Sequence, residues 1–188
     1  MNTFRFTVTE TPLDGLKVVQ RHPKKDNRGF LCRMFCQNEL ETAGWQNNIA
    51  QVNHTWTVGK GSIRGMHYQL PPHAEVKLVS CLRGAILDVA VDVRAGSPTF
   101  LKWYAVELSE DNFSSLLIPE GFAHGFQTLT DDVQMIYLHS VAYNNEYEAG
   151  LNPLDQSLAI DWQLPPLNIS ERDSAHPLIN AGFKGVQT

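Results

Sequence analysis

The stretch Val76–Arg94 reads VKLVSCLRGAILDVAVDVR and contains the clearest strand pattern in the chain. Its first part, Val76–Leu82, is a largely apolar run that ends at an Arg-Gly turn. In the second part every other residue from Leu87 to Val93 is Leu or Val, whereas the residues between them are Asp and Ala. This period of two predicts a β-strand with one apolar face and one mixed face.

Similar short patterns follow on the C-terminal side and are separated by turn residues. The further predicted strands are Trp103–Leu108, Ser114–Ile118, Phe126–Leu129 and Val133–Val141. Helix signals are few: Cys36–Gly44 predicts one short helix, and another is expected to start near Ser170. Many short strands with frequent turns favour a sandwich or barrel. The sequence therefore predicts an all-β, antiparallel jelly-roll (cupin-like) sandwich with a few short peripheral helices, forming a single domain over residues 1–188.

Composition and charge exclude several classes of protein. The net charge is -5 and the 15 Lys and Arg residues are scattered, which argues against nucleic-acid binding. Three cysteines without a CxxC pair favour a reducing compartment over a disulfide framework. No apolar run reaches the roughly 20 residues of a membrane helix, and the first fifteen residues show no secretory signal pattern. We therefore expect a cytoplasmic protein with no nucleic-acid or membrane partner.

The segment Ser62–Gln69, SIRGMHYQ, is the most informative for chemistry. Strand alternation would put Ile63, Gly65, His67 and Gln69 on one face. A polar His and Gln beside a Gly fit a face that lines a cavity, with the glycine leaving room for a ligand. The alternative is that His67 is a hydrogen-bonded core histidine.

Three further clusters have both a functional and a structural interpretation. Pro119–Phe126 predicts a tight bend near a pocket, or else a structural turn with a buried His124. Gln51 and Asn53 share one strand face and suit hydrogen bonding to a polar ligand, although paired surface amides are common. Arg28 precedes a glycine and could bind an anion, or belong to a charged turn.

A metal site is the main alternative chemistry. His67, His73 and Glu75 are close in sequence, and His124 could complete a set of ligands. The prolines between His67 and His73 interrupt the spacing that cupin metal sites use, so we predict no metal. Signatures of P-loop, Rossmann and α/β-hydrolase proteins do not occur in the sequence.

Five motifs in order resemble the dTDP-4-dehydrorhamnose 3,5-epimerase family, from about Phe6 to about Leu178. They are Ile63–Gln69 (IRGMHYQ), Lys77–Val79 (KLV), Asp88–Arg94 (DVAVDVR), Ser97–Phe100 (SPTF) and Ile118–Phe126 (IPEGFAHGF). The resemblance implies a jelly-roll homodimer that acts without a cofactor. It also implies inversion of C3, C5 or both in a nucleotide-linked 4-keto-6-deoxy sugar.

The resemblance implies a role for four residues. His67 would be the base that removes a proton acidified by the C4 ketone, and Asp155 would orient its imidazole. Lys77 would stabilise the enolate oxygen, and Tyr137 would return a proton from the opposite face. The residues expected to bind the substrate are Arg28, Phe30, Arg33, Gln51, Asn53, Arg64 and His124.

The chain departs from the family pattern around this set. Arg33 stands where the family has Glu, Leu138 stands for Lys, Pro153–Leu154 stand for Trp-Asn, and Leu101 stands for Gly. Because a guanidinium only donates hydrogen bonds, Arg33 suggests a nucleotide other than dTDP, with CDP and GDP the first to test. The alternative is that Arg33 pairs with Glu39 and dTDP is still bound. Two rival functions are a metal-dependent cupin enzyme and a non-catalytic nucleotide-sugar binding module.

Overall fold

Two antiparallel β-sheets face each other in the computed structural model, which describes residues 5–188. In chain order the strands of this part are β1 (Phe6–Glu10), β2 (Lys17–Arg21), β3 (Lys24–Asp26), β4 (Gly29–Leu31), β5 (Gln51–Thr57), β6 (Ile63–Gln69), β7 (Lys77–Arg83), β8 (Ala85–Asp92), β9 (Trp103–Ser109), β10 (Ser114–Ile118), β11 (Phe122–Thr128), β12 (Val133–His139) and β13 (Glu148–Gly150). Two short α-helices, α1 (Gln37–Leu40) and α2 (Glu171–Ser174), and a 3-10 turn (Glu41–Ala43) complete the elements.

The strand order confirms the predicted jelly-roll sandwich. One sheet has six strands in the order β1-β2-β10-β7-β12-β5, and the other has five in the order β13-β6-β11-β8-β9. A separate hairpin pairs β3 with β4. Neither helix of the described residues has the length and apolar character that crossing a membrane requires.

Apolar residues pack against both faces of each sheet. The core between the sheets includes Val79, Leu116 and Met135 from the first sheet and Ile86 and Phe126 from the second. Residues 151–186 cover the outer face of the five-stranded sheet, and the region around α1 covers that of the six-stranded sheet. This second covering explains why β7 is an almost continuous apolar run, since it is buried on both sides.

The alternation in β8 has an unexpected orientation. Its apolar residues, such as Val89 and Val91, pack outward under the C-terminal segment. The mixed face, with Asp88 and Ala90, points between the sheets, where Asp88 is completely buried and hydrogen-bonds His124. The polar residue faces inward because the space between the sheets contains a polar cavity as well as an apolar core.

Most predicted elements are confirmed, with small shifts of their ends. Ser114–Ile118 matches β10, and the helix over Cys36–Gly44 is present as α1 and the 3-10 turn. Gly44 ends it in the left-handed region, at φ 115°, where glycine is favoured. The prediction of a bend over Pro119–Phe126 was wrong beyond Gly121, because Phe122 already begins the fully buried strand β11.

Candidate active site

A cavity of about 930 Å³ lies between the two sheets, within the size range of small-molecule sites. Strands β5, β7 and β12 form one wall, β6 and β11 form the other, and the segment around α2 contributes to the lining. The cavity brings together seven of the predicted site residues: Gln51, Asn53, Arg64, His67, Lys77, His124 and Tyr137. The other four, Arg28, Phe30, Arg33 and Asp155, do not line it.

A carboxylate from α2 holds the imidazole of His67. His67 Nε2 lies 2.8 Å from Asp173 Oδ1, and the other oxygen of Asp173 accepts the backbone N–H of Gly65 at 3.0 Å. Burial alone would raise the pKa of Asp173, but its bonds to His67 and Gly65 hold that pKa well below the ordinary value. An ionised carboxylate only accepts hydrogen bonds, so neutral His67 has its proton on Nε2 and Nδ1 is the basic nitrogen.

Asp155 is not the orienting carboxylate, and that prediction was wrong. Asp155 is buried and accepts the backbone N–H groups of Ser157 and Ile179, which ties the turn after β13 to the C-terminal segment. The prediction rested on matching Gly150–Asp155 to a family motif in which Pro153 and Leu154 already departed. The carboxylate that reaches His67 comes from 18 residues further along the chain.

A β-bulge overturns the predicted alternation along β6. His67 lies opposite His124, whereas Arg64 lies opposite Phe126, so β6 has one more residue than β11 between these pairs. The extra residue changes the side to which the strand points, and Arg64 therefore lines the cavity together with His67. Gly65 leaves room for the neighbouring strand and not for a ligand, because a Cβ there would lie 2.5 Å from the Cα of Gly125.

Tyr137 and Lys77 face the dyad from the opposite sheet, on β12 and β7. Burial raises the pKa of the Tyr137 phenol, so it carries its proton at neutral pH and can act as an acid. The Lys77 ammonium pairs with the buried Glu75 carboxylate at 3.1 Å. A molecule between the sheets would therefore meet a base on one side and a proton donor and a cation on the other.

The cavity also contains further polar side chains. Gln51 Nε2 donates to Asn53 Oδ1 at 3.1 Å on β5, as the shared strand face predicted. His124 Nε2 lies 2.7 Å from Asp88 Oδ1 within the sheet. These side chains suit hydrogen bonding to a sugar.

The three predicted nucleotide contacts outside the cavity lie on or just after the β3–β4 hairpin. Arg28 is exposed and pairs with Asp26 at 2.7 Å. Phe30 is 60% exposed and makes an edge contact with Phe113. Arg33 Nη1 pairs with Glu39 Oε1. The structure thus shows the Arg33–Glu39 pair of the alternative interpretation, and this pair neutralises the charge that suggested a different nucleotide.

Among the cavity side chains that sequence reasoning missed are Glu75 as a partner of Lys77, His139, Arg172 and Asp173. A signal for Asp173 was present, because Ser170 caps α2 by accepting the Asp173 N–H at 3.0 Å. A Ser followed three residues later by an acid is normally explained by the helix end alone. Only the tertiary contact with β6 distinguishes a carboxylate that holds His67 from one that merely caps a helix.

The residues considered as a metal-ligand set, His67, His73, Glu75 and His124, do not come together at one point. His73 packs against the Tyr147 ring, and Glu75 hydrogen-bonds His139. Within residues 5–188, His67, Asp173 and His176 are the group whose ligand atoms lie within 4.8 Å of one another. The Arg172 guanidinium lies 3.2 Å from His67 Nε2, so its positive charge would oppose a cation there.

Comparison with known proteins matches the family model for dTDP-4-dehydrorhamnose 3,5-epimerase to residues 10–181. The chain belongs to this family. A Shigella flexneri dTDP-4-dehydrorhamnose 3,5-epimerase is 40% identical over 167 residues, covering 88% of this chain and 92% of that protein. The epimerase assignment, first suggested by five short motifs, is thus confirmed over most of the chain.

Solved structures of the epimerase family share this fold. A Legionella pneumophila dTDP-6-deoxy-D-glucose-3,5-epimerase in complex with dTDP-4-keto-L-rhamnose has a TM-score of 0.90 at 37% identity, covering 97% of this chain and 99% of that one. A Bacillus anthracis dTDP-4-dehydrorhamnose 3,5-epimerase with TDP and PPi bound has a TM-score of 0.89 at 37% identity, covering 93% and 99%. The chain therefore belongs to a family of isomerases that have a jelly-roll fold.

Proposed function

We propose that the protein inverts C3, C5 or both in a nucleotide-linked 4-keto-6-deoxy sugar without a cofactor. One observation carries the proposal: His67, held by Asp173 of α2, is on one sheet and Tyr137 is on the other, with the cavity between them. Inversion at carbon needs a base and an acid on opposite faces of the sugar ring. Packed sheets about 10 Å apart leave space for such a ring between the two groups.

The proposed reaction consists of one proton removal and one proton return, on opposite faces of the same carbon. The C4 ketone acidifies the hydrogen on the adjacent carbon, and His67 Nδ1 removes it as Asp173 stabilises the resulting imidazolium. The electron pair moves onto the C4 oxygen, where Lys77 stabilises the enolate. Tyr137 then donates its proton to the opposite face of the carbon, and solvent restores the protonation states of His67 and Tyr137.

The Tyr137→Phe variant tests this division of roles. The base still forms the enolate, so deuterium from D2O should continue to enter the substrate at C3 or C5. Inversion should fall by about 10²-fold, because no acid remains on the opposite face. Both are measured by NMR on a dTDP-linked 4-keto-6-deoxy sugar.

Tyr104→Phe is the matched control, since Tyr104 packs against the core and does not line the cavity. Normal inversion by Tyr137→Phe would remove Tyr137 from the mechanism. Failure of the wild-type protein to exchange hydrogen in any nucleotide-linked 4-keto sugar would contradict the function. It would favour a non-catalytic binding module. Loss of wild-type activity with a chelator would favour a metal-dependent enzyme.

The proposal includes a homodimer in which one protomer's β3–β4 hairpin reaches its partner's cavity. Arg28 and Phe30 resemble residues that bind the nucleotide, yet they lie outside this chain's own cavity. Phe30 and Leu31 are 60% and 69% exposed, which a contact with a second copy would relieve. Sedimentation should then give twice the chain mass, and a monomer with full nucleotide affinity would contradict the proposal.

We also propose a cytoplasmic location, supported by the three free cysteines.

The nucleotide is proposed to be dTDP. The Arg33–Glu39 pair removes the reason to expect another base, and the similar solved structures contain TDP or a dTDP-sugar. In competitive titrations with dTDP, CDP, GDP and UDP, dTDP should bind tightest, and Arg33→Glu should change its Kd by less than about threefold because the Arg33 guanidinium is paired with Glu39. Arg28→Ala should weaken binding by about tenfold. Tighter binding of CDP or GDP, lost in Arg33→Glu, would restore the earlier hypothesis.

A further inference from the structure

Three histidines of the cavity each hydrogen-bond a carboxylate, and the proposed reaction uses one of these pairs, His67–Asp173. His67 pairs with Asp173, and His124 pairs with Asp88. The third pair joins His139 Nδ1 to Glu75 Oε2 at 2.7 Å. Nothing in the proposed reaction uses this third pair, although both of its members line the cavity.

Glu75 is shared between two donors. Its Oε1 lies 3.1 Å from Lys77 Nζ and its Oε2 lies 2.7 Å from His139 Nδ1. All three side chains are nearly enclosed, with exposures of 7%, 10% and 11% for Glu75, Lys77 and His139. Burial by itself would raise the pKa of Glu75, but the His139 hydrogen bond and the Lys77 charge hold it below the ordinary value. The carboxylate is therefore ionised, and each oxygen has its own donor.

The ionised carboxylate also determines the protonation of the ring. Because Glu75 only accepts, His139 Nδ1 carries the hydrogen, and in the neutral ring Nε2 is an acceptor. That acceptor lies 3.4 Å from Asn53 Nδ2, and the side-chain oxygen of Asn53 accepts a hydrogen bond from Gln51. Each donor in this series faces an acceptor, so a continuous series of hydrogen bonds connects the amide pair on β5 to the ammonium of Lys77.

We propose that His139 is a positioning residue for the epimerisation: by occupying one oxygen of Glu75, it keeps the Lys77 ammonium directed at the C4 oxygen of the substrate. A lysine has a flexible four-carbon stem, so its charge acts at one point only where neighbouring groups hold it. Without His139, Glu75 would have a buried oxygen with no donor, and the carboxylate would turn toward Lys77. The ammonium would then be drawn further toward the carboxylate and away from the C4 oxygen when the enolate forms.

The inference rests on the proposed function, since it concerns Lys77 acting on the enolate. Two variants of His139 separate its two nitrogens. His139→Asn places an amide N–H near the position of Nδ1 and keeps a donor to Glu75. His139→Gln places its amide near the position of Nε2 and keeps the contact with Asn53 but loses the donor to Glu75.

We expect His139→Gln to lower kcat by about tenfold with little change in KM, because an enolate-stabilising group acts in the transition state. Deuterium wash-in should fall by the same factor, unlike in Tyr137→Phe, because enolate formation itself is slowed. His139→Asn should recover most of the wild-type kcat. The matched control is His54→Gln, which should retain wild-type kinetics. His54 is an exposed residue of β5 whose ring hydrogen-bonds Gln134.

A double-mutant cycle tests the route through Glu75. In a Glu75→Gln background, His139→Gln should cost less than about twofold further, because its effect is already lost. Additive effects would overturn the inference. So would a kcat of His139→Gln equal to that of wild type, or a loss confined to KM, which would point to Asn53. An inactive wild-type protein would instead refute the proposed function, so the two failures are distinguishable. Circular dichroism melting of each variant separates these effects from unfolding.

Discussion

Replacement of His67 by alanine is expected to lower turnover by ~10²–10⁴-fold, the usual cost of losing a general base. Both hydrogen exchange and inversion should fall together, because neither occurs without the enolate. The ring of His67 is partly exposed in the cavity, so the melting temperature should change little. Steady-state kinetics and deuterium wash-in on a dTDP-linked 4-keto-6-deoxy sugar give the measurement.

His73→Ala is the matched control for this prediction. The His73 ring packs on Tyr147 outside the cavity, so its removal should leave kcat close to that of wild type. A near-normal rate in His67→Ala would show that another group is the base. Equal losses in the two variants would show that the effect is not specific to His67.

Replacement of Asp173 by asparagine should cost about 10²-fold or more in kcat. An amide can present its N–H to His67 Nε2, which would favour the tautomer with the proton on Nδ1 and so block the basic nitrogen. It also removes the negative charge that stabilises the imidazolium. The variant retains an oxygen for the Gly65 N–H, so the bulge between β6 and β11 should persist.

Asp155→Asn is the control that separates the two carboxylates. Asp155 accepts the backbone N–H groups of Ser157 and Ile179, so its replacement should lower the melting temperature and leave kcat nearly at the wild-type value. If Asp155→Asn lost as much kcat as Asp173→Asn, the dyad described above would be incorrect. Retention of full activity by Asp173→Asn would have the same consequence.

The dyad also links stability to acid pH. The pKa of Asp173 in the folded protein is held below its unfolded value. Such a group contributes stability that is fully present above the unfolded pKa and is lost as pH falls toward the folded pKa. The contribution therefore persists across neutral pH and disappears only in strongly acidic solution.

Local patterns were sufficient for the strands and one helix because they depend on neighbouring residues. The alternation in Leu87–Val93 gave a strand, and Gly44 marked the end of the first helix. The direction of the alternation was not predictable. Whether Asp88 or Val89 faces the other sheet depends on which face the C-terminal segment covers, and that is a contact between distant parts of the chain.

The sequence by itself determined the sandwich architecture, the family and seven of the side chains that line the cavity, because these depend on short-range periodicity and on motifs within single strands. Only the tertiary structure decided which carboxylate serves His67, since Asp155 and Asp173 differ in their contacts and not in their chemistry. It also decided that Arg64 shares the cavity with His67, because one extra residue in β6 reverses the alternation. The Glu75–His139 pair required the structure for the same reason: its members are 64 residues apart and meet only where β12 pairs with β7.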